Sequence, residues 1–483
     1  MDENLFIVIG YIAFILYTVA IMGAGVLLER KSGINKTVCR KITHIISAFV
    51  WVICAFFFGC SIHWVVLNGI GALLLGVVTF SDKLRAFGKG DDGATPGLFY
   101  FGASTFVVAL ICYILGPRFY LYTGIAYYCL ALGDGFAPIV AVVAGEKNVK
   151  LLPSKTLLGT VSVYLVAFLS VFVFSSVFGM NLDPIFMLSV AALTCITEFY
   201  GFLGLDNILI EFSVFGYLLL YHFGLVGLPL QVVLIASPFL AWLAIGAKAM
   251  TVDGGIAAFL LFALVGFFSE DFLPVLFIAL LFAISTAVSV LGKRLGGGAE
   301  GHSARRASQI AAVGLFAIIF LGIYRYTDYE LFYYLFFLAL TEQFADSMAS
   351  DIGRHTNRSN VNIITLKPIE KGISGGISAL GTVSALLGSL LLMSIPYFLG
   401  AVSLAAYIVI SLLSFLGTVI DSVVGALFQA LYRCRECGVK VEKNTHCGIE
   451  AELIKGFRAV DNTAVNYIAG FLTSAIGVLL IFV

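Results

Sequence analysis

Long apolar stretches recur along the whole chain, and the segments between them are short and hold most of the charged residues. A helix needs about 20 largely apolar residues to cross the hydrocarbon core of a bilayer. The candidate spans are residues 5–28, 43–60, 62–80, 98–116, 119–143, 157–178, 181–198, 207–222, 229–247, 254–268, 272–291, 308–324, 329–349, 376–396, 401–431 and 464–483. This pattern predicts an all-α polytopic membrane protein with about 14–16 transmembrane helices, of which residues 401–431 form a tilted or broken one.

The composition favours the same class. Of the 483 residues, 60% are hydrophobic and only 12% are charged, and the mean hydropathy is +1.04. A soluble domain would carry about a quarter charged residues. The 28 basic and 28 acidic residues balance, so nothing indicates a nucleic-acid partner. The acidic start and the apolar run to Leu28, without a small-residue cleavage site, predict a retained helix rather than a signal peptide.

Basic residues are concentrated in alternate loops, whereas the turns between these loops are nearly uncharged. The basic loops contain Arg30, Lys31, Lys36, Arg40, Lys41, Lys83, Arg85, Lys89, Lys147, Lys150, Lys155, Lys293, Arg294, Arg305, Arg306, Arg354, Lys367, Lys371, Arg433 and Arg435. Because Lys and Arg favour the cytosolic side of a membrane, we expect these loops in the cytosol, at a prokaryotic plasma membrane. A change of motifs near residues 240–255 predicts two fused helical bundles, residues 1–240 and 241–483.

The first half contains an aspartate at the predicted cytosolic end of a helix, followed by glycines and lysines. The sequence GDGFAP (133–138) precedes GEK (145–147) and PSKTLLGT (153–160). Asp134 could hold Mg²⁺, which prefers oxygen ligands shared with phosphates, and Lys147 or Lys155 could neutralise charge in phosphoryl transfer. The alternative is a solvated loop with ordinary cytosolic lysines. That alternative is weaker for Asp134, because an acid bordering apolar sequence is costly without a partner.

Two further polar segments are predicted on the same side, Arg40-Lys41 with His44 and Glu198 with Asp206-Asn207. Basic residues and a histidine beside a span are usually interfacial anchors. The acids and Asn207 interrupt an apolar stretch, which favours a functional role. The candidate nucleotide- or phosphate-binding residues of this half are Arg40, Lys41, Gly133, Gly135, Lys147, Lys155, Thr156, Gly159 and Asn207, and the candidate catalytic residues are Asp134, Glu198 and Asp206.

On these motifs, residues 29–212 resemble the CTP-dependent polyprenol kinase family, which includes dolichol kinase and phytol kinase and is related to phosphatidate cytidylyltransferases. The resemblance implies transfer of the γ-phosphate of CTP to an isoprenoid alcohol. It further implies that Asp134 is a metal-binding or catalytic carboxylate and that Lys155 and Thr156 line the nucleotide phosphates. Leu158 stands where many relatives have an acid, and this departure weakens the implied metal site.

The second half carries carboxylates inside a predicted span. Glu342, Asp346 and Asp351 follow one another in TEQFADSMASDIG, and each is costly in lipid, so metal coordination to a phosphate substrate is the simplest explanation. The alternative is charge-paired helix packing. A Gly/Ser-rich turn that opens a helix suits phosphate. The candidate phosphate-binding residues of this half are Arg305, Arg306, Lys367, Ser374, Gly375 and Gly376. The candidate Mg²⁺ ligands of the whole chain are Asp134 in the first half and Glu342, Asp346, Asp351, Asp421 and Asp461 in the second. Asp346 and Asp351 are also candidate catalytic residues.

This half resembles the phytyl-phosphate kinase family, also described as transmembrane protein 19-like. The resemblance rests on ARRASQIAAVG (304–314), ADSMASDIG (345–353), KGISGGIS (371–378), GTVIDSVVGALFQ (417–429), CRECG…HCG (434–448) and GFRAVDNTAVN (456–466). It implies phosphorylation of a prenyl monophosphate to the diphosphate. Met348 and Asp351 depart from the tryptophan and glutamate usual in the family, and the shorter acid could alter metal geometry.

Cysteines cluster once, where Cys434, Cys437, His446 and Cys447 provide ligand types that suit zinc. Because the second pair is adjacent rather than spaced, packed reduced thiols are the alternative. A disulfide is not expected in a cytosolic loop.

Together the two resemblances predict a bifunctional kinase that converts a prenyl alcohol (phytol, farnesol, geranylgeraniol or a polyprenol) to the monophosphate with CTP and then to the diphosphate, with Mg²⁺ at both sites. The nucleotide of the second step is left open. Two alternatives are a cytidylyltransferase that forms a CDP-lipid and a secondary transporter, in which buried acids and broken helices mark an ion site.

Overall fold

The computed structural model describes residues 2–31, 35–80, 96–145, 148–152, 154–246, 249–294, 305–353, 360–370 and 373–481. The helices are α1 (Glu3–Lys31), α2 (Lys36–Ile46), α3 (Ala48–Phe57), α4 (Ile62–Phe80), α5 (Gly97–Leu115), α6 (Tyr120–Tyr128), α7 (Gly135–Ala144), α8 (Leu157–Val177), α9 (Pro184–Tyr200), α10 (Asp206–His222), α11 (Leu228–Gly246), α12 (Val252–Phe268), α13 (Leu273–Arg294), α14 (Ala307–Thr327), α15 (Glu330–Gly353), α16 (Ala379–Phe398), α17 (Leu404–Phe428) and α18 (Asn462–Ile481). Each candidate span contains helical residues, so the predicted all-α polytopic membrane fold is confirmed.

Within the described residues, 11 helical segments are long and apolar enough to cross a membrane, and three shorter apolar helices accompany them. The helices α10 and α15 are in neither set, and both carry acids within their apolar sequence. The predicted span 401–431 is a single continuous helix, α17, rather than a broken one.

Short strands occupy loops between helices, where the backbone groups are outside helical pairing and need other partners. They are β1 (Lys150–Leu152), β2 (Lys155–Thr156), β3 (Asn360–Asn362), β4 (Pro368–Ile369), β5 (Gly376–Ile377), β6 (Leu431–Arg433), β7 (Lys440–Val441), β8 (Thr445–His446), β9 (Ile449–Glu450) and β10 (Glu452–Lys455). They form the two-stranded sheets β1-β2 and β8-β9 and the three-stranded sheets β4-β3-β5 and β10-β6-β7. All of the pairings are antiparallel.

The chain divides into two compact units, and the first comprises Met1–Gly227 with Gln231–Leu243. Its most buried helix is α9, which packs against α8 and α10. The helix α2 contacts α7 and a π-helical segment at Cys129–Asp134, and α4 packs along α5. A helix that is apolar on every side belongs inside a bundle, and α9 follows this rule except for Glu198 near its end.

The second unit comprises Leu228–Leu230 and Ala244–Val483. Its centre is α15, which packs against α13, α14, α16, α17 and α18 and is almost completely buried from Leu335 to Ala345. Phenylalanines of α15 form the middle of the core together with Phe277 of α13. The same buried helix carries Glu342, so a carboxylate lies inside the helical bundle.

Close packing of α17 on α15 depends on Gly417. A Cβ built at this position would collide with Cγ of Glu342 and would lie 2.7 Å from Oγ1 of Thr473 on α18. Three helices therefore meet around a residue without a side chain, as is common where membrane helices approach closely.

Gly417→Ala is expected to destabilise the second unit by about 1–3 kcal/mol, because the added methyl group has no space. Thermal unfolding of the purified protein in detergent measures this as a lower transition midpoint. Gly216→Ala in α10 is the matched control, since a Cβ there meets no atom of the described residues within 4 Å. An unchanged midpoint for Gly417→Ala would contradict the close helix contact.

Candidate functional sites

In the first unit, Asp134 ends the π-helical segment and is 2% exposed. Such segments inside α-helices are rare and often occur at functional positions. The helix continues as α7, in which Pro138 has no N–H to donate to the carbonyl of Asp134 four residues earlier. The carbonyl of Asp134 therefore lacks its usual helical partner, at the end of the π-helical segment that contacts α2.

Asp134 is paired with Lys41 of α2. The Nζ of Lys41 lies 2.5 Å from Oδ2 of Asp134, and the two side chains are 13% and 3% exposed. The Nε2 of His44 is 3.7 Å from the same oxygen and has no hydrogen-bond partner among the described residues. Arg40 is exposed. The structure thus joins predicted site residues from two different segments of the sequence.

A second pair joins Lys155 of β2 to Glu198 of α9, with Nζ 2.5 Å from Oε1. Burial lowers the pKa of Lys155, but the surrounding carboxylates, chiefly that of Glu198, raise it by more, so its net pKa lies above that of free lysine. The other carboxylate oxygen, Oε2 of Glu198, is buried without a hydrogen-bond partner within the part of the chain that the structure describes. This oxygen of Glu198 is therefore available to a further ligand.

Asp206 and Asn207 begin α10 beside these two pairs. Asp206 interacts electrostatically with Asp134 and with both pairing lysines. The Nδ2 of Asn207 donates to the carbonyls of Gly97, at 3.1 Å, and Gly204, at 3.3 Å. This amide therefore ties the start of α10 to α5, and its predicted phosphate-binding role stays a prediction.

The remaining predicted residues of this half have identifiable packing roles. Thr156 caps α8 by accepting a hydrogen bond from the N–H of Gly159 at 3.3 Å. A Cβ at Gly135 would lie 2.5 Å from a side-chain carbon of Ile45, so Gly135 allows α7 to approach α2, and Gly133 packs against α9. Lys147 lies outside the described residues, as do Lys83, Arg85, Lys89, Arg354 and Lys371 of the basic loops.

In the second unit, acids of α15 and α17 face one another. Glu342 is 1% exposed; its Oε2 accepts a 2.7 Å hydrogen bond from Gln343, and its Oε1 has no hydrogen-bond partner among the described atoms. Asp421 of α17 interacts electrostatically with Asp346 and Glu342. The side-chain amide of Asn466 in α18 satisfies its hydrogen bonds when its nitrogen donates to the carbonyl of Asn462, at 2.9 Å, and to Oδ2 of Asp421, at 3.3 Å.

The glycine-rich turn before α16 lies close to these acids. Gly375 has a φ of +81°, and a Cβ there would collide with α17. The N–H of Ser374 donates to Oε1 of Glu442 at 2.7 Å, and Glu442 acts electrostatically on Asp421. Gln429 is 4% exposed, and neither its amide nitrogen nor its amide oxygen has a hydrogen-bond partner in the described part of the chain. A recess beside the glycine-rich turn is lined by Ile373, Ser374, Gly425, Gln429, Ala430, Leu431, Glu442 and Lys455.

The other predicted residues of this half are not among those that line the recess. Asp351, near the end of α15, interacts electrostatically with Arg305, whose guanidinium is 5.7 Å from the ring centre of Phe282. Arg306 and Lys367 are exposed, and Gly376 belongs to β5. Asp461 caps α18 by accepting a 2.9 Å hydrogen bond from the N–H of Ala464.

The structure brings together Cys434, Cys437, His446 and Cys447, and this set is called the Cys/His cluster below. Its ligand atoms all lie within 4.8 Å of one another. A backbone hydrogen bond from Cys437 lowers the pKa of Cys434 to about 6, whereas a side-chain hydrogen bond with Cys437 raises the pKa of Cys447 to about 12. Among the described residues, this is the one group of three or more His, Cys, Asp or Glu side chains close enough to hold an ion by itself.

The acids of α15 and α17 therefore do not form an all-protein cage, but their chemistry fits Mg²⁺. This ion is usually held by one or two carboxylates together with substrate phosphates and water. Among the described residues, Glu342 has a buried carboxylate oxygen without a hydrogen-bond partner, and Glu198 has another in the first unit. Hard oxygen donors of this kind are the ligands that Mg²⁺ requires.

The sequence analysis did not identify two acids, the buried Glu211 and Glu442, which accepts a hydrogen bond from the glycine-rich turn. Glu211 of α10 is 1% exposed and accepts hydrogen bonds from Ser104 at 2.5 Å and from Thr105 at 3.3 Å. The position of Glu211 inside an apolar run is the sequence signal that identifies it as a candidate functional acid. Glu442 lies in a polar loop, where one more acid carries no signal.

Comparisons with known proteins match parts of the chain. Residues 235–474 match the model of a family described as integral membrane protein DUF92. Protein VTE6, chloroplastic, of Arabidopsis thaliana is 30% identical over 190 residues, which is 37% of this chain and 56% of that protein. An uncharacterized membrane protein of Synechocystis sp. is 30% identical over 91 residues, or 19% of this chain and 35% of that protein. No solved structure matches the chain significantly.

Removal of one partner from a buried ion pair leaves an uncompensated charge, which costs about 3–5 kcal/mol. Lys41→Met is therefore expected to lower the unfolding midpoint strongly, whereas Lys41→Met with Asp134→Asn recovers most of the loss. Thermal unfolding in detergent measures both variants.

The exposed pair Arg325–Glu270 is the control, with side chains 41% and 66% exposed. Such pairs contribute about 0–1 kcal/mol, so Arg325→Met leaves the midpoint almost unchanged. A double variant as unstable as Lys41→Met would show that the lysine stabilises the fold by some other contact.

Proposed function

We propose that the protein is a membrane-embedded prenyl kinase with two sites. Residues 241–483 would phosphorylate a prenyl monophosphate to the diphosphate, and residues 1–240 would phosphorylate a prenyl alcohol with CTP. The observation that carries the proposal is the buried acid set of α15 and α17 beside a glycine-rich turn, within the segment that matches the integral membrane family. The resemblance of the same segment to phytyl-phosphate kinases supports the substrate class.

At the second site, the acceptor is already an anionic phosphate and needs little help from a base. The chain's task is to bring two anions together, which requires positive charge and well-placed N–H groups. The N–H of Ser374, in the turn that precedes β5 and α16, donates to Oε1 of Glu442, so a phosphate oxygen that enters the recess would replace this carboxylate as the acceptor. Lys455 lines the same recess and can bind a phosphate oxygen.

At the first site, the acceptor is a neutral hydroxyl, so a group must take its proton. Glu198 and Asp134 are the candidates, because both are buried and each is paired with a lysine. Phosphates that enter the site would compete for Lys41 and Lys155, and this competition frees the carboxylates. The lysines then stabilise the transferring phosphoryl group while the carboxylate accepts the proton.

Mg²⁺ fits both sites, held by Asp134 or Glu198 in the first and by Glu342, Asp346 or Asp421 in the second, and when bound it would neutralise nucleotide phosphate charge. Prenyl substrates are amphiphilic, so the lipid-facing helices would hold the chain while the polar end reaches the acids. The basic loops support entry of the nucleotide from the cytosol. Retention of the monophosphate in the bilayer would favour two successive steps in one protein.

Asp134→Asn and Asp346→Asn should block different steps, because each removes a carboxylate from only one site. Purified protein in nanodiscs receives γ-labelled CTP or ATP with either a prenyl alcohol or a prenyl monophosphate, and the lipid products are separated. Each variant is expected to lose about 100-fold or more of one activity and to keep the other.

Glu3→Gln and Glu330→Gln serve as controls, since both acids are exposed at the starts of α1 and α15. The two-site proposal fails if either site variant abolishes both activities. Pyrophosphate release with a CDP-lipid product would instead indicate a cytidylyltransferase, and nucleotide-independent substrate uptake into sealed vesicles would indicate a transporter.

A further inference from the structure

Two tight turns present the Cys/His cluster. The first lies between β6 and β7, where the N–H of Cys434 donates to the carbonyl of Val439 at 2.9 Å and the N–H of Gly438 donates to that of Cys434 at 3.0 Å. Gly438 has a φ of +71°, which lets the chain reverse directly after Cys437. Both thiols of the Cys-x-x-Cys segment therefore lie on one side of this turn.

The second turn is the two-residue loop of the β8-β9 hairpin. Its residues are Cys447 and Gly448, with φ values of +52° and +77°. Positive φ at both central positions defines a type I′ turn, in which Asn, Asp or Gly is usual at the first position. A cysteine there costs roughly 1 kcal/mol of backbone strain or more. A bound ion that needs this thiol would offset that cost.

The separations among the ligand atoms of Cys437, His446 and Cys447 match a tetrahedral ion, and Sγ of Cys434 lies within 4.8 Å of each of them. Zinc bonds of about 2.3 Å to sulfur and about 2.0 Å to nitrogen, at tetrahedral angles, place two sulfurs about 3.8 Å apart and a sulfur about 3.5 Å from a nitrogen. Sγ of Cys447 lies 3.8 Å from Sγ of Cys437. Nδ1 of His446 lies 3.4 Å from Sγ of Cys437 and 3.3 Å from Sγ of Cys447.

We propose that the Cys/His cluster binds one structural Zn²⁺ ion, which joins the β6-β7 turn to the β8-β9 hairpin and, through the β6-β7 hairpin, steadies the glycine-rich turn that precedes α16. Four protein ligands fill the coordination shell, as in structural rather than catalytic zinc sites. Binding converts three thiols to thiolates and releases their protons to solvent, while the histidine coordinates as the neutral imidazole.

The consequence for the rest of the unit follows from the residues after the first turn. Lys440, in β7, lies 3.0 Å from a carboxylate oxygen of Glu370, and Glu442 accepts the hydrogen bond from the N–H of Ser374. These two contacts join the hairpin that contains Cys434 and Cys437 to the segment before α16. Loss of the ion would therefore loosen the amide of Ser374 as well as the hairpin.

Metal analysis of the purified full chain tests the proposal without reference to any catalytic activity. We expect one zinc ion per chain in the wild type and in Cys60→Ser, and loss of bound zinc in Cys437→Ser and His446→Ala. Cys60 is the matched control because its thiol is also close to another, 3.9 Å from that of Cys112, but belongs to the first unit. Replacement by Co²⁺ should give the absorption of a tetrahedral cobalt–thiolate complex.

Hydrogen exchange of the segment that contains Ser374 provides a second readout, and the amide should exchange faster after zinc is removed by a chelator. If the ligand variants do not accumulate, wild-type protein is alkylated instead: Cys437 and Cys447 should react only after chelation. A chain that neither contains nor takes up zinc, or that holds a Cys437–Cys447 disulfide, would overturn the proposal. Unchanged exchange at Ser374 would overturn the coupling to the turn.

Discussion

A carboxylate inside a membrane-embedded bundle must be matched by a partner, because a charged group without one is strongly disfavoured away from water. This constraint organises both units. In the first, Asp134 and Glu198 each meet a lysine, and these contacts join α2 to the π-helical segment and β2 to α9. In the second, Glu342 lies on the most buried helix and leaves one oxygen unpartnered among the described residues, where a cation ligand can complete the site.

Much of the fold follows from the sequence because spanning helices need only length and apolarity, and these are visible in any window of the chain. The internal irregularities do not follow in the same way. The π-helical segment before Asp134 and the break between α2 and α3 at Ser47 depend on contacts with other helices. Short loop strands such as β3 and β7 form because nearby segments pair, which no local pattern indicates.

The acids of the candidate sites can be predicted from the sequence for a related reason. An acid in apolar sequence is conspicuous, so Asp134, Glu198 and Glu342 could be recognised individually. Lys41 and Lys155 could also be named as candidates, but their pairing with these acids could not be predicted, since Lys41 is 93 residues from Asp134. Glu442 could not be recognised from the sequence because it lies among other polar residues. Only the fold brings its carboxylate within hydrogen-bond distance of the N–H of Ser374.

The central claim is that two separate sites act in sequence on one lipid, and complementation in a shared bilayer tests it most directly. Asp134→Asn and Asp346→Asn proteins are reconstituted together in the same vesicles with a prenyl alcohol and labelled nucleotides. Neither variant alone should form the prenyl diphosphate, whereas the mixture should, because the monophosphate made by one chain diffuses to the other. A mixture that stays inactive, or one variant that completes both steps alone, would contradict the account.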